Sequence, residues 1–397
     1  MSTRSFLALG ALLLAALGCR EDTQSPVEPL ATATEANVSA TATLAFRQVS
    51  TGYIHTCGVT TDNRAYCWGG NRRGMLGDGT TNRHLNPVAV AGGLSFRQVS
   101  AGRWHTCGVT TDNRAFCWGY NLGGMLGDGT TTQRLRPVAV AGVHRFRQVS
   151  AGLFHTCGRS YPDNRVYCWG SNALGDGTGG QSLTPVAVAG NHVFRDVSAG
   201  LFHTCGVTTA NKAYCWGSGF YGQLGDSVDP SGFEAAASPV LVAGGHVFRQ
   251  VDAGGYHTCG LTTTNQAFCW GNGRDGQLGN GKAYLSFWPR AVAGGLSFSR
   301  VTAGLRHSCG ETTENRVYCW GNNFPNGEIG DGTIIDRLRP VAVAGGHLFS
   351  QVSAGHEYTC GKKASGVVYC WGWNEYGQFG DGTTITRLKP APAGGTM

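Results

Sequence analysis

Charge is what this chain has least of. Only 14% of its 397 residues are Asp, Glu, Lys or Arg, and the net charge of +7 comes from 31 basic against 24 acidic residues scattered along the whole length. No run of like charge stands out, so nothing reads as the basic stripe that binds nucleic acid; a mildly basic solvated surface is expected instead. Proline is modest at 13, and beyond the N-terminus no apolar segment is long enough to cross a bilayer. No serine, cysteine or carboxylate stands apart as an activated nucleophile or acid/base pair, so nothing supports catalysis or a bound cofactor.

Glycine, by contrast, is abundant at 63, and it falls at fixed places in a unit that recurs about every 50 residues. The unit is clearest in Phe46 to Thr80, and its first phenylalanine returns as Phe96, Phe146, Phe194, Phe248, Phe298 and Phe349. Seven copies of one unit argue for a single closed assembly rather than several domains. Glycines placed this way are turn chemistry, not disorder.

The N-terminus stands outside the repeats. Residues 1–18 carry Arg4, an apolar stretch from Phe6 to Leu17 and a small residue before Cys19, the pattern of an export signal too short to anchor as a span. Ala16-Leu17-Gly18-Cys19 resembles a bacterial lipobox, which makes Cys19 the candidate lipidation site, although Ala16 replaces the usual leucine. Residues 19–38 read as a flexible polar tether, and residues 39–392 as the folded body. The expectation is a cell-envelope lipoprotein or secreted protein, touching a membrane only through that lipid.

Apart from Cys19, fourteen cysteines fall two per repeat: Cys57 and Cys67, Cys107 and Cys117, Cys157 and Cys168, Cys205 and Cys215, Cys259 and Cys269, Cys309 and Cys319, Cys360 and Cys370. In an exported chain, paired cysteines are a disulfide framework. His-Thr-Cys with Cys-Trp also offers metal ligands, but the seventh repeat has Tyr358 where the others have His and keeps both cysteines, so no metal is expected.

Within one repeat, FRQVS, HTCGVT and RAYCWG alternate with period two and read as strands. Thr61-Asp62-Asn63 makes a short hairpin of the second and third, and centring it on Asp62 sets Cys57 opposite Cys67 and Val59 opposite Ala65. After Trp68-Gly69 and a glycine-rich loop, PVAVAGG reads as a fourth strand with Pro87 at its start. Four antiparallel strands repeated seven times predict an all-β seven-bladed propeller. Pro390 and Pro392 make the last repeat's fourth strand a poor one. Ser39 to Leu44 is therefore expected to supply the outer strand of the last blade, so that an N-terminal strand closes the ring.

Gly-x-x-His-Thr, then Tyr/Phe-Cys-Trp-Gly, then Gly-x-Leu-Gly-Asp-Gly-Thr resembles the repeat of the regulator of chromosome condensation family over roughly residues 44 to 390. Repeat 3 shortens the glycine loop, repeat 4 carries an insert around Ser227 to Ser238, and repeat 5 has Asn280 for Asp. The resemblance implies a seven-bladed propeller but not one activity. Roles in that family include nucleotide exchange on a small nuclear GTPase, light sensing in plants and inhibition of β-lactamase by a secreted bacterial member.

Residues shared by every repeat read as structural: the histidines at 55, 105, 155, 203, 257 and 307 as hydrogen-bonding groups, the Trp-Gly tryptophans as inter-blade packing, the Gly-Asp-Gly aspartates as turn formers. The informative positions are those that differ. The turns between first and second strands and the loops after Trp-Gly share one face, and carry Tyr53, Trp104, Tyr120, Phe154, Phe202, Phe220, Tyr221, Tyr256 and Trp373, with Arg306 and Glu357 at a polar rim. Such a face has the composition of a binding hot spot, or alternatively plugs the channel mouth and packs between blades. The expected function is an exported module, acting as a monomer, that binds an unidentified protein or surface polymer and no nucleic acid. The alternatives are an exchange-factor-like regulator and an envelope carbohydrate-active enzyme; the latter requires paired carboxylates, where only scattered acids such as Asp275, Glu357 and Glu375 are seen.

Overall fold

The computed structural model describes residues 44–228 and 235–394, so the export signal, Cys19 and the tether lie outside the described residues. Seven four-stranded antiparallel sheets follow one another along the chain, each in simple sequential order. In blade 1 the strands are Phe46–Thr51, His55–Thr60, Ala65–Gly69 and His84–Ala89, from the inside outwards. The fold is the predicted seven-bladed propeller.

The hairpin register is also as predicted. Cys57 pairs with Cys67 and Val59 with Ala65, and Asn63 takes φ of 66° at the turn. All seven disulfides form within their own hairpins. The fourth strand of blade 1 begins three residues before Pro87, at His84, so the proline sits inside the strand rather than at its start. It is an outer edge strand, whose unpaired side tolerates a missing donor.

The predicted ring closure is wrong. The fourth strand of blade 7 is Arg387–Pro392, which pairs with Val368–Gly372 through Gly372 with Arg387, Cys370 with Ala391 and Tyr369 with Pro392. Blade 7 thus takes its fourth strand from its own repeat; residues 39–43 of the segment expected there lie outside the described residues. The physical reason is again the edge: prolines forbid donation to a ladder, but only one side of an outermost strand has a ladder to serve.

What holds the ring together lies between blades. Seven buried hydrophobic clusters each straddle a boundary; in the first, Cys57, Cys67 and Leu76 of blade 1 pack on Phe96 and Trp118 of blade 2. Trp118 is wholly buried and donates its indole N–H to the Met75 carbonyl of the preceding blade at 2.8 Å. Burying roughly 150–250 Å² per tryptophan, at about 25 cal/mol per Å², gives a gross gain on the order of 4 to 6 kcal/mol at each boundary. Gly77, at φ of 69°, lies so close that a Cβ would meet the Trp118 ring at 2.7 Å, which accounts for glycine in the Leu-Gly-Asp motif.

The recurring histidine serves the same boundary, as expected. His55 Nε2 lies 2.8 Å from Thr106 Oγ1 in the next blade, and equivalent pairs recur at 105/156, 155/204, 203/258, 257/308 and 307/359. Around the channel, Gln48 Nε2 donates to the Val99 carbonyl at 2.7 Å while its Oε1 accepts from the Val99 N–H at 2.9 Å, stitching neighbouring inner strands. Asp78 accepts from the Thr80 hydroxyl at 2.8 Å, a turn bond of the kind expected.

Candidate functional site

The turns after the first strands and the loops after Trp-Gly emerge at the same end of the strands. There the aromatic residues meet as two clusters around one channel mouth. In the first, Tyr53 of blade 1 stands edge-on to His356 of blade 7 at 4.1 Å, to Trp104 of blade 2 at 5.0 Å and to Trp373 at 6.4 Å. Arg103 lies over Tyr53 at 4.6 Å and over Trp104 at 5.5 Å, and Tyr376 flanks Trp373 at 5.3 Å. Rings meeting edge-on with a guanidinium over their faces follow from the aromatic quadrupole, and each such contact adds about 0.5–1.5 kcal/mol to simple burial.

The second cluster joins blades 4 and 5. Phe202 stacks on Tyr256 at 5.7 Å, Tyr221 meets Tyr256 at 5.2 Å, and Phe220 meets Tyr221 at 4.8 Å. Phe220 is 44% exposed; Tyr53, Trp104, Phe202, Tyr221, Tyr256 and Trp373 are half-buried. The mouth between the clusters is a cavity of about 90 Å³ lined by Tyr53, Arg103, Leu201, Leu305 and His356.

Two of the eleven candidate residues sit differently. Tyr120 and Phe154 pack against the core cluster shared by blades 2 and 3, with Arg73 over the Tyr120 ring at 5.0 Å. Both are half-buried, and packing accounts for their size. Arg306 is exposed and Glu357 half-buried at the edge of the first cluster.

Glu357 is not a scattered acid. Its Oε2 accepts from Asn326 Nδ2 at 2.9 Å, and it lies in the field of Glu328, a side chain only 1% exposed at the boundary of blades 6 and 7. Burial pushes the Glu328 carboxyl well above the usual range, and the charges of Glu357 and Asp336 push it further, with Arg306 opposing. Burial likewise raises Glu357, against the pull of Arg306. Glu328 escaped sequence reading, yet a signal was there: its position holds Met75, Met125, Ala173, Gln223, Gln277 and Gln378 in the other repeats. Among the described residues, no three His, Cys, Asp or Glu side chains converge as metal ligands.

Comparison with known proteins agrees with this architecture. The sequence profile of the RCC1-like domain matches residues 8–296 and, overlapping them, 99–395. The Arabidopsis thaliana ultraviolet-B receptor UVR8 is 29% identical over 170 residues, which cover 42% of this chain and 38% of that protein. The Mus musculus probable E3 ubiquitin-protein ligase HERC4 is 40% identical over 75 residues, covering 18% of this chain and 7% of the ligase. Thus the chain spans well under half the length of either relative. Among solved structures, Prp20p from Saccharomyces cerevisiae superposes with a TM-score of 0.76 at 20% identity, covering 85% of this chain and 87% of the yeast one, a likeness of fold alone. With its repeats, its blades and this match, the chain belongs to the RCC1-like domain family.

Proposed function

We propose that this protein is an exported binding module that grips another protein or a surface polymer with the aromatic face. The observation that carries this reading is the pair of half-exposed ring clusters, built from the loops in which the repeats differ most. Rings half-buried among themselves lose little side-chain freedom when a partner covers them, and truncating such an anchor costs about 2 kcal/mol or more of binding. Trp104, Phe202 and Tyr256 serve as anchors, with Arg306 and Glu357 at the polar rim. The seven disulfides favour an oxidising compartment, and so a secreted or envelope protein, over a regulator of a cytosolic GTPase. The structure of yeast Prp20p was described together with its binding to Gsp1p and histones, so a related propeller is a protein-binding one.

The test is a capture experiment from envelope extracts, with the wild type beside a Trp104→Ala, Phe202→Ala, Tyr256→Ala triple variant of unchanged circular dichroism. The expected result is a partner retained by the wild type and lost by the variant. The same partner retained by both would move the site off this face.

A further inference from the structure

The channel mouth at the opposite end of the strands has another chemistry. Arginine holds the second position of the first strand in five repeats, as Arg47, Arg97, Arg147, Arg195 and Arg249, and Arg300 stands one place later in repeat 6. Some fifty residues apart in sequence, these side chains become neighbours around the ring. Arg97 lies in the field of Arg47 and Arg147, Arg159 on the second strand of blade 3 in that of Asp196 and then of Arg147 and Arg97, and Arg249 in that of Arg300.

Backbone groups hold part of this array in place. Arg47 Nη2 donates to the Phe96 carbonyl at 2.9 Å and Arg97 Nη2 to the Phe146 carbonyl at 2.6 Å, while Arg147 lies over the Tyr161 ring at 4.5 Å. Among the described residues, none of Arg47, Arg97, Arg147 and Arg159 has a carboxylate within 4 Å. The Nε atoms of Arg97 and Arg159 have no acceptor.

Acids also stand at this end of the strands: Asp112 in the turn of blade 2 lies 3.8 Å from Arg145, and Asp196 of blade 4 acts on Arg159 of blade 3. Asp196 accepts from Gln148 Nε2 at 2.8 Å and Asp252 from the Ala303 N–H at 2.9 Å; Glu311 faces Arg300 across the strand pair. Arg159 thus has Asp196 as an opposing charge, whereas Arg97 has only other arginines acting on it. Nor does the fold require arginine at this position: repeats 6 and 7 place Ser299 and Ser350 there and still form four-stranded blades.

We propose that Arg97, Arg147 and Arg159 form a binding site for a multivalent oxyanion, phosphate or sulfate, at the mouth opposite the aromatic face. Guanidinium groups bind such oxygens through paired N–H donors, and an anion between them replaces like-charge repulsion with charge-assisted hydrogen bonds. The proposal is independent of the aromatic face.

It is tested by isothermal titration with inorganic pyrophosphate and, separately, with dextran sulfate, at constant ionic strength made up with chloride. Wild type is compared with Arg97→Ser/Arg147→Ser and with Arg147→Ser alone, the latter removing no hydrogen bond to the backbone among those described. Saturable pyrophosphate binding, weakened at least tenfold in the double variant at unchanged Tm, is expected if the anion is free in solution. Binding of dextran sulfate alone, weakened by the same substitutions, supports an oxyanion carried on a polymer. Binding of neither probe above the chloride control, or equal binding by all three proteins, would overturn the proposal.

Discussion

The hydroxyl of Tyr358 donates to the carbonyl of His55 at 2.6 Å, across the boundary where the last blade meets the first. The same hydroxyl lies 2.9 Å from Thr56 Oγ1, the place taken by a histidine Nε2 at the other six boundaries. Tyr358 is completely buried. The one repeat that lacks the histidine is therefore the one that closes the ring, and its phenol makes a backbone bond that the imidazoles do not.

Removing that hydroxyl should loosen the closing boundary without altering the blades. Tyr358→Phe is expected to lower stability by about 1–2 kcal/mol, because a buried acceptor loses its donor. Tyr358→His, the residue of the other six repeats, should cost less, since a ring nitrogen can again meet Thr56. Urea denaturation of the three proteins checks the order; a Phe variant as stable as wild type would remove the hydroxyl from the account of closure.

The six histidines should remain neutral far below their ordinary range. Thr106 Oγ1 already donates to the Met75 carbonyl at 2.8 Å, so His55 Nε2 must be the donor between them. Burial lowers His55 from 6.5 to about 3 and His155 to about 4. The unfolded chain then binds more protons below pH 6.5, so each contributes stability that is full above that pH and lost as pH falls toward 3 or 4. Nitrogen NMR should show six imidazoles protonated at Nε2 only and unchanged from pH 8 to 5. Titration of any of these rings near pH 6.5 would contradict the boundary role assigned to it.

Each disulfide closes a short loop, with a sequence separation of 10 between Cys107 and Cys117. Replacing both by serine should cost about 2.7 kcal/mol on the loop-entropy estimate. Thermal unfolding with and without reductant measures it: the variant should lose part of the reductant sensitivity shown by the wild type. Free thiols at these positions in the untreated protein would count against the oxidised framework.

Glu328 offers a charge test with a built-in control, because three repeats already carry Gln at its position. Its carboxyl titrates higher in the folded protein than in the unfolded chain, so its stabilising contribution is present below pH 4.5 and is lost as pH rises through the folded value. Glu328→Gln should therefore gain on the wild type as pH rises from 4.5, at a limiting slope of about 1.4 kcal/mol per pH unit. Chemical denaturation from pH 4.5 to 8.5 checks this; a constant difference across that range would mean the carboxyl does not titrate there.

Much of this was legible beforehand because the repeat is a local device. Phe46, Gly58, Cys57, Cys67 and Trp68 declare a stapled hairpin by spacing alone, and the asparagine at its turn declares the register. The closing strand was misread for a local reason too: Pro390 and Pro392 look like strand breakers until the strand is known to be outermost, where half its donors have no partner to find.

The amino-acid sequence alone determined the seven blades, their four antiparallel strands and the pairing of fourteen cysteines, since each rests on contacts within one repeat. Only the tertiary structure decided what lies between repeats. Joining blade 7 to blade 1 brings Tyr358 to His55 and Tyr53 to Trp373, and packing consecutive blades side by side gathers Glu328 with Glu357 and Arg97 with Arg147. A residue repeated every fifty positions looks dispersed along a chain, yet a ring turns that period into adjacency.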